Sequence, residues 1–236
     1  MATLVEKFFD SKDELTAELS HTLEQSLRDG IKSDCRAVLM VSGGSSPAPA
    51  YKHLSTLDLD WQNVDVAMVD ERWVEPSHEK SNEAFIKSTL LQNYGSAANF
   101  ITMKNDAATA EQGAQVCEAA YGALKAPYDV TILGMGPDGH TASLFPHAQG
   151  LEHGLTTQQT VCAINAIESD VTGSITERMT LTLNAIANSK VVKLLISGEE
   201  KLAVYKQAKA GGDVNDMPLR AVLNHPSINI EVYWAP

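Results

Sequence analysis

The chain has 236 residues, 44% hydrophobic and 20% charged, which supports a sizeable core and excludes a disordered or fibrous chain. Eighteen Lys and Arg face thirty Asp and Glu, a formal charge of −12. That balance argues against partners bound through clustered cations, namely nucleic acid and anionic membrane surfaces. Any anionic ligand must be held by a few local cations and backbone N–H groups.

In chain order, the opening MATLVEKFFDSKDE turns acidic before an apolar signal-peptide core forms. After Asp10 or Ser11 as a cap, Leu15, Leu19, Leu23 and Leu27 recur every fourth residue, which predicts a helix closed by Gly30. Arg36 to Val41 reads as a buried strand running into Ser42-Gly43-Gly44-Ser45-Ser46-Pro47, with Pro47 in the first turn of a helix to about His53 or Leu54. A strand over Val64 to Val69 ends in Asp70-Glu71-Arg72-Trp73, and a helix from Ser81 to Gln92 follows. Residues 106 to 124 are Ala-rich and helical, and Tyr128 to Leu133 is another apolar strand. Further strands are expected at Val161 to Ile164, Met179 to Leu183, Val191 to Ile196 and Ile228 to Tyr233, with a helix from Glu199 to Ala210.

Continuous apolar strands alternating with helices indicate an α/β fold: a doubly wound, mostly parallel, Rossmann-like sheet with helices on both faces, in a single domain over residues 1 to 236. The segments His147 to Gln159 and Gly211 to Asn215 read as surface excursions. No apolar run is long enough for a bilayer. Cys35, Cys117 and Cys162 lack CxxC spacing, so buried reduced thiols in a cytoplasmic protein are expected.

Ligands of open parallel sheets bind beyond the carboxyl ends of the strands, and four polar or glycine-rich segments fall at such ends. Ser42, Gly43, Gly44 and Ser45 precede a helix N-terminus, where backbone N–H groups can hold an anion. Without the lysine of a nucleotide P-loop or GxGxxG spacing, the alternatives are a phosphate smaller than a nucleotide and a tight structural turn. Lys201 lies in the first turn of a helix, against the dipole preference; it either reaches a substrate phosphate or is balanced by Glu199 and Glu200. Arg72 either pairs with Asp70 or Glu71 or faces substrate, where it would stabilise developing negative charge. Arg178, at a strand start, has the weaker case.

The sharpest segment is Gly134-Met135-Gly136-Pro137-Asp138-Gly139-His140-Thr141-Ala142-Ser143. Its glycines and proline shape a loop that delivers His140, an acid–base group suited to neutral pH, and Asp138 could orient it or a substrate hydroxyl. His21, His53, His78, His147, His153 and His225 have no comparable setting. No HxH or HxxxH spacing accompanies His140 and no G-x-S-x-G is present, so neither a metal, a cofactor nor a nucleophilic serine is expected.

VSGGSSP (41–47), DERWV with SNEAF (70–74, 81–85), GMGPDGHTASLFP (134–146) and ERMTLTLNAIANS with SGEEK (177–189, 197–201) together resemble the 6-phosphogluconolactonase family. That family is related to glucosamine-6-phosphate deaminase, whose loop has a glutamate five residues after the histidine; here that position is Phe145. The resemblance implies hydrolysis of 6-phospho-D-glucono-1,5-lactone. Gly43, Gly44, Ser45, Arg178 and Lys201 would hold the phosphate, His140 would activate water, and Arg72 or loop N–H groups would meet the oxyanion. Ser42 and Gly139 would line the substrate, and Asp70 and Asp138 would bind sugar hydroxyls or hold Arg72 and His140. The implied partner is a small sugar phosphate, with the chain a monomer or weak homo-oligomer. The rivals are a hexose-6-phosphate isomerase or deaminase, and a non-catalytic sugar-phosphate sensor.

Overall fold

The computed structural model describes residues 2 to 236. The chain begins with strand β1 (Leu4–Phe8) and helix α1 (Lys12–Asp34), followed by β2 (Ala37–Val41), α2 (Ala48–Ser55), β3 (Val64–Met68), β4 (Asp70–Arg72) and α3 (Asn82–Thr89). It continues through β5 (Asn99–Ile101), α4 (Ala110–Gly122), β6 (Val130–Gly134), α5 (Leu151–Thr156), β7 (Val161–Asn165), β8 (Glu177–Leu181) and α6 (Leu183–Ala187). The last elements are β9 (Val192–Ser197), α7 (Glu199–Lys209), α8 (Leu219–Leu223) and β10 (Ile230–Ala235).

Seven strands form one parallel sheet in the order β1-β10-β9-β6-β2-β3-β5. From β2 the chain winds outward through β3 to β5, and from β6 it winds the other way through β9 and β10. That reversal puts helices on both faces and opens a crevice between β6 and β2. Strands β2 and β3 are buried along their whole length, as expected on a doubly covered sheet, and the one charged residue among them, Asp65, is paired with Arg36.

Helix α1 is placed by its leucines. Ser11 caps it by accepting from Glu14 N at 3.2 Å, and Leu15, Leu19, Leu23 and Leu27 are buried. Gly30 does not close the helix, which continues to Asp34 and ends on Cys35 at φ +58°. Glycine is needed at 30 for another reason: a Cβ there would lie 2.6 Å from the Asp129 carboxylate. Asp129, at the amino end of β6, accepts from Val38 N at 2.7 Å and Lys190 at 2.7 Å. Lys125 and Lys190 also bind Asp34 at 2.6 and 3.2 Å, which ties the end of α1 to the edge of the sheet remote from the crevice.

Several expectations are corrected. The strands at Val161 and Met179 do not join the parallel sheet. With β4 they form a separate antiparallel sheet ordered β4-β8-β7, because the chain turns out of the main sheet after Met68 and pairs Asp70 with Thr180. Arg178 is thus inside a strand, paired with Arg72. The stretch from His147 to Gln159 contains α5, with Leu151 and Gly154 buried. Cys35 is exposed, whereas Cys117 and Cys162 are buried. Among the described residues, no helix is long and apolar enough to cross a membrane.

Lys125 and Lys190 hold the Asp34 carboxyl down to about 2, against about 3.9 in an unfolded chain. A depressed carboxyl stabilises the fold above its unfolded pKa, and that contribution is lost as pH falls through the folded value. Asp34→Asn should therefore lower the urea midpoint at neutral pH, and the gap from wild type should close between about pH 4 and pH 2. A gap independent of pH would contradict this ion cluster.

Candidate active site

At the carboxyl ends of β9, β6 and β2, neighbours in the sheet, the loops enclose a cleft of about 380 Å³, a size suited to a small metabolite. One wall is the turn after β2. Tyr51 Oη donates to Ser42 O at 3.1 Å, and Gly44 takes φ +95°, a left-handed conformation that glycine adopts freely. The N–H groups of Gly44, Ser45 and Ser46 donate to none of the described residues, so they are available to an anion ahead of α2.

The second wall comes from β4. Glu71 is completely buried and accepts four hydrogen bonds: from Arg72 N and Asn82 N at 2.8 Å each, Glu83 N at 2.8 Å and Ser81 Oγ at 2.9 Å. The carboxylate thus satisfies the opening N–H groups of α3, where a negative charge also suits the helix dipole. Burial nevertheless pushes its carboxyl above the ordinary glutamate value. With Glu71 facing inward, Arg72 points into the cleft, and its Nη1 donates to Asn82 Oδ1 at 2.8 Å.

Arg72 lies directly across the antiparallel pair from Arg178. The flanking Trp73 N to Glu177 O bond puts the two arginines at a non-hydrogen-bonded position, where side chains come closest. Like charges there are unfavourable and need an anion or a network to offset them. Arg178 Nε and Nη2 donate to Ile175 O at 3.0 Å and Thr172 O at 3.1 Å, pinning the β7–β8 loop. Its guanidinium also stands 5.3 Å over the Phe145 ring. Burial, with Arg72 nearby, pushes the Arg178 guanidinium down to about 10, Asp70 opposing.

The third wall is the loop after β6. Thr141 Oγ1 donates to Gly134 O at 2.8 Å and Gly136 N to His140 O at 3.0 Å, closing the loop on itself. His140 Nδ1 meets Asp138 Oδ1 at 2.5 Å, and the His140 ring packs on Phe145 with centroids 4.2 Å apart. Asp138 therefore selects the Nδ1–H tautomer and leaves Nε2 as the basic atom. Burial raises the Asp138 carboxyl, but the bond and charge of His140 outweigh it and leave it below the ordinary value. A Cβ at Gly136 would overlap the His140 ring.

The structure brings Ser42, Gly43, Gly44, Ser45, Asp70, Arg72, His140, Arg178 and Lys201 to one cleft. Asp138 and Gly139 do not line this cleft: of the two roles expected for Asp138, a sugar hydroxyl or holding His140, the geometry gives the second, and the Gly139 carbonyl accepts from Leu219 N at 3.0 Å under Met217. Asp70 does not hold Arg72. It accepts from Ser143 Oγ at 2.6 Å and Asn82 Nδ2 at 3.2 Å. Among the described residues, Arg72, Arg178 and Lys201 form no ion pair, and half-buried Lys201 is lowered by desolvation alone. Glu199 and Glu200 do not balance it.

The sequence assigns no role to Asn82, Ser143 or Phe145, the last noted there only for lacking a carboxylate, and offers Glu71 only as an ion-pair partner of Arg72, whereas Glu71 accepts the Arg72 backbone N–H. The signal for Asn82 was the polar Ser-Asn-Glu heading an apolar helix. Among the described residues, no group of three His, Cys, Asp or Glu side chains could hold a metal ion.

The family described as glucosamine-6-phosphate isomerases/6-phosphogluconolactonase matches residues 10–234. A 6-phosphogluconolactonase of Rhizobium meliloti is 36% identical over 230 residues, covering 97% of both chains. The crystal structure of a 6-phosphogluconolactonase from Shewanella baltica superposes with a TM-score of 0.94 at 39% identity, covering 99% of this chain and 98% of that one. A monomeric glucosamine-6-phosphate deaminase has the same fold, with a TM-score of 0.78 at 19% identity, covering 98% of this chain and 97% of that one.

Gly136→Ala should displace His140 and lower kcat by about 10²-fold, the scale of general-base help, with circular dichroism unchanged. Wild-type turnover in this variant would mean that the ring position in the cleft is irrelevant to chemistry.

Proposed function

Since this chain belongs to the glucosamine-6-phosphate isomerase/6-phosphogluconolactonase family, we propose that it hydrolyses 6-phospho-D-glucono-1,5-lactone to 6-phospho-D-gluconate in the oxidative pentose phosphate pathway, with His140 as general base. The observation that carries this mechanism is the Asp138-held imidazole on the same cleft as three cations that lack carboxylate partners.

The backbone N–H groups of Gly43, Gly44 and Ser45, with Lys201 and Arg178, hold the phosphate. Each is a donor, and together they supply locally the positive field that a chain of charge −12 lacks overall. Nε2 of His140 takes a proton from water as its oxygen bonds to C1. The carbonyl becomes an oxyanion, met by the Arg72 guanidinium. Collapse re-forms the carbonyl and breaks the bond from C1 to the ring oxygen, which receives the proton from Nε2. The new carboxyl group then loses its own proton to solvent, and no covalent enzyme intermediate forms. General acid–base help of about 10²–10⁴-fold together with positioning suffices for an ester that is already activated.

Phe145 favours this chemistry over ring-opening isomerisation, since it places an apolar ring beside His140 where a second carboxylate would otherwise share proton transfer. Free cysteines fit a cytoplasmic setting.

His140→Ala should lower kcat by about 10²-fold or more while the fold is retained, read as proton release from freshly generated lactone above the spontaneous rate. A folded variant with normal turnover overturns the general-base role. Lys201→Ala should raise KM for the phosphorylated lactone by about 10-fold or more, the scale of one lost charge-assisted bond, and hardly affect the unphosphorylated lactone. Equal losses on both substrates overturn the phosphate role.

A further inference from the structure

Resting on the hydrolase assignment above, we propose that Asn82 is a positioning residue for this reaction: its carboxamide sets the Arg72 guanidinium against the oxyanion while keeping that charge unspent. Asn82 is the first residue of α3, only 4% exposed, and its backbone N–H is fixed by Glu71 at 2.8 Å. Its Nδ2 donates to Asp70 O at 2.9 Å and Asp70 Oδ1 at 3.2 Å, leaving Oδ1 to accept from Arg72 Nη1 at 2.8 Å. The reverse orientation would set the amide NH₂ against a guanidinium and its oxygen against a carboxylate, so the surroundings determine which way the amide points.

Two further observations single this residue out. Among the described residues, the bond to Asn82 is the only hydrogen bond of the Arg72 guanidinium. A Cβ on Gly43 would also overlap Asn82 Oδ1, so the amide packs against the glycine turn as well. One neutral group thus links the anion-binding turn, Asp70 and Arg72. A carboxylate in its place would hold Arg72 as firmly but neutralise it, removing the charge the transition state needs.

The test is a double-mutant cycle on the full chain with freshly generated 6-phosphogluconolactone. Asn82→Ala should lower kcat by about 10-fold or more with KM changed less than about 3-fold, and should add less than about 2-fold to the loss in Arg72→Ala, since residues acting as a unit are non-additive. Asn82→Asp keeps the shape but replaces the neutral amide with a carboxylate, whose ionised form is favoured by Arg72 and by the N-terminus of α3 and opposed by Asp70. Paired with Arg72, it should lower kcat by about 10-fold or more at pH 7.5 with KM changed less than about 3-fold. Losses that multiply in the double variant, or an Asn82→Asp variant with wild-type kcat, overturn the positioning role. If Asn82→Ala fails to fold or Arg72→Ala falls to the spontaneous rate, the kcat of Asn82→Asp decides alone. Absence of lactonase activity in the wild-type chain would instead overturn the hydrolase assignment.

Discussion

The cleft depends on one buried carboxylate that never touches it. Glu71 lies where the chain leaves the parallel sheet for the antiparallel one, and four donors converge on it. Strand alternation then dictates the rest: with Glu71 inward, its neighbours Asp70 and Arg72 face the opposite side, toward the cleft. Because the same carboxylate caps α3, Asn82 arrives at a fixed height beside both. Removing such an acceptor from the interior leaves several donors unsatisfied at about 1–3 kcal/mol each, so this corner behaves as one rigid unit.

Electrostatics in the cleft run against those of the whole chain. Lys125 and Lys190 are neutralised by ion pairs to Asp129, while the two arginines of the cleft are held by carbonyl oxygens, an amide and an aromatic face. Such neutral contacts orient a guanidinium without spending its charge. Arg178 carries the clearest cost, since it is buried opposite a second arginine. An anion held between the two guanidinium groups would offset that repulsion.

Much of this was legible in the sequence because local chemistry dictates it. The leucine repeat placed α1, the apolar runs placed β2, β3, β6 and β9, and the glycine-rich ends of β2 and β6 mark two walls of the cleft. The small antiparallel sheet was not legible. Asp-Glu-Arg is three residues with no apolar signal, and its partner strand is more than a hundred residues away, so only tertiary pairing reveals that Arg72 and Arg178 face each other. Edge strand β1 was missed because Leu4, Val5 and Phe8 stay exposed and no buried pattern forms. Gly30 misled for the opposite reason: glycine commonly ends helices, but here it makes room for Asp129. Asn82 was hidden because an asparagine beginning a helix has an ordinary explanation as a helix-start residue.

The positive φ at Cys35 leaves a lone accessible sulfur where α1 meets the amino end of β2, across the sheet from the cleft. The other two thiols are buried and pushed up to about 12, so few of their sulfurs are ever thiolates and maleimide reagents would find little to attack. Nature has therefore supplied a ready attachment point. A dye, a bead or an electrode could be coupled there without mutagenesis, leaving the working mouth of the enzyme open to solution.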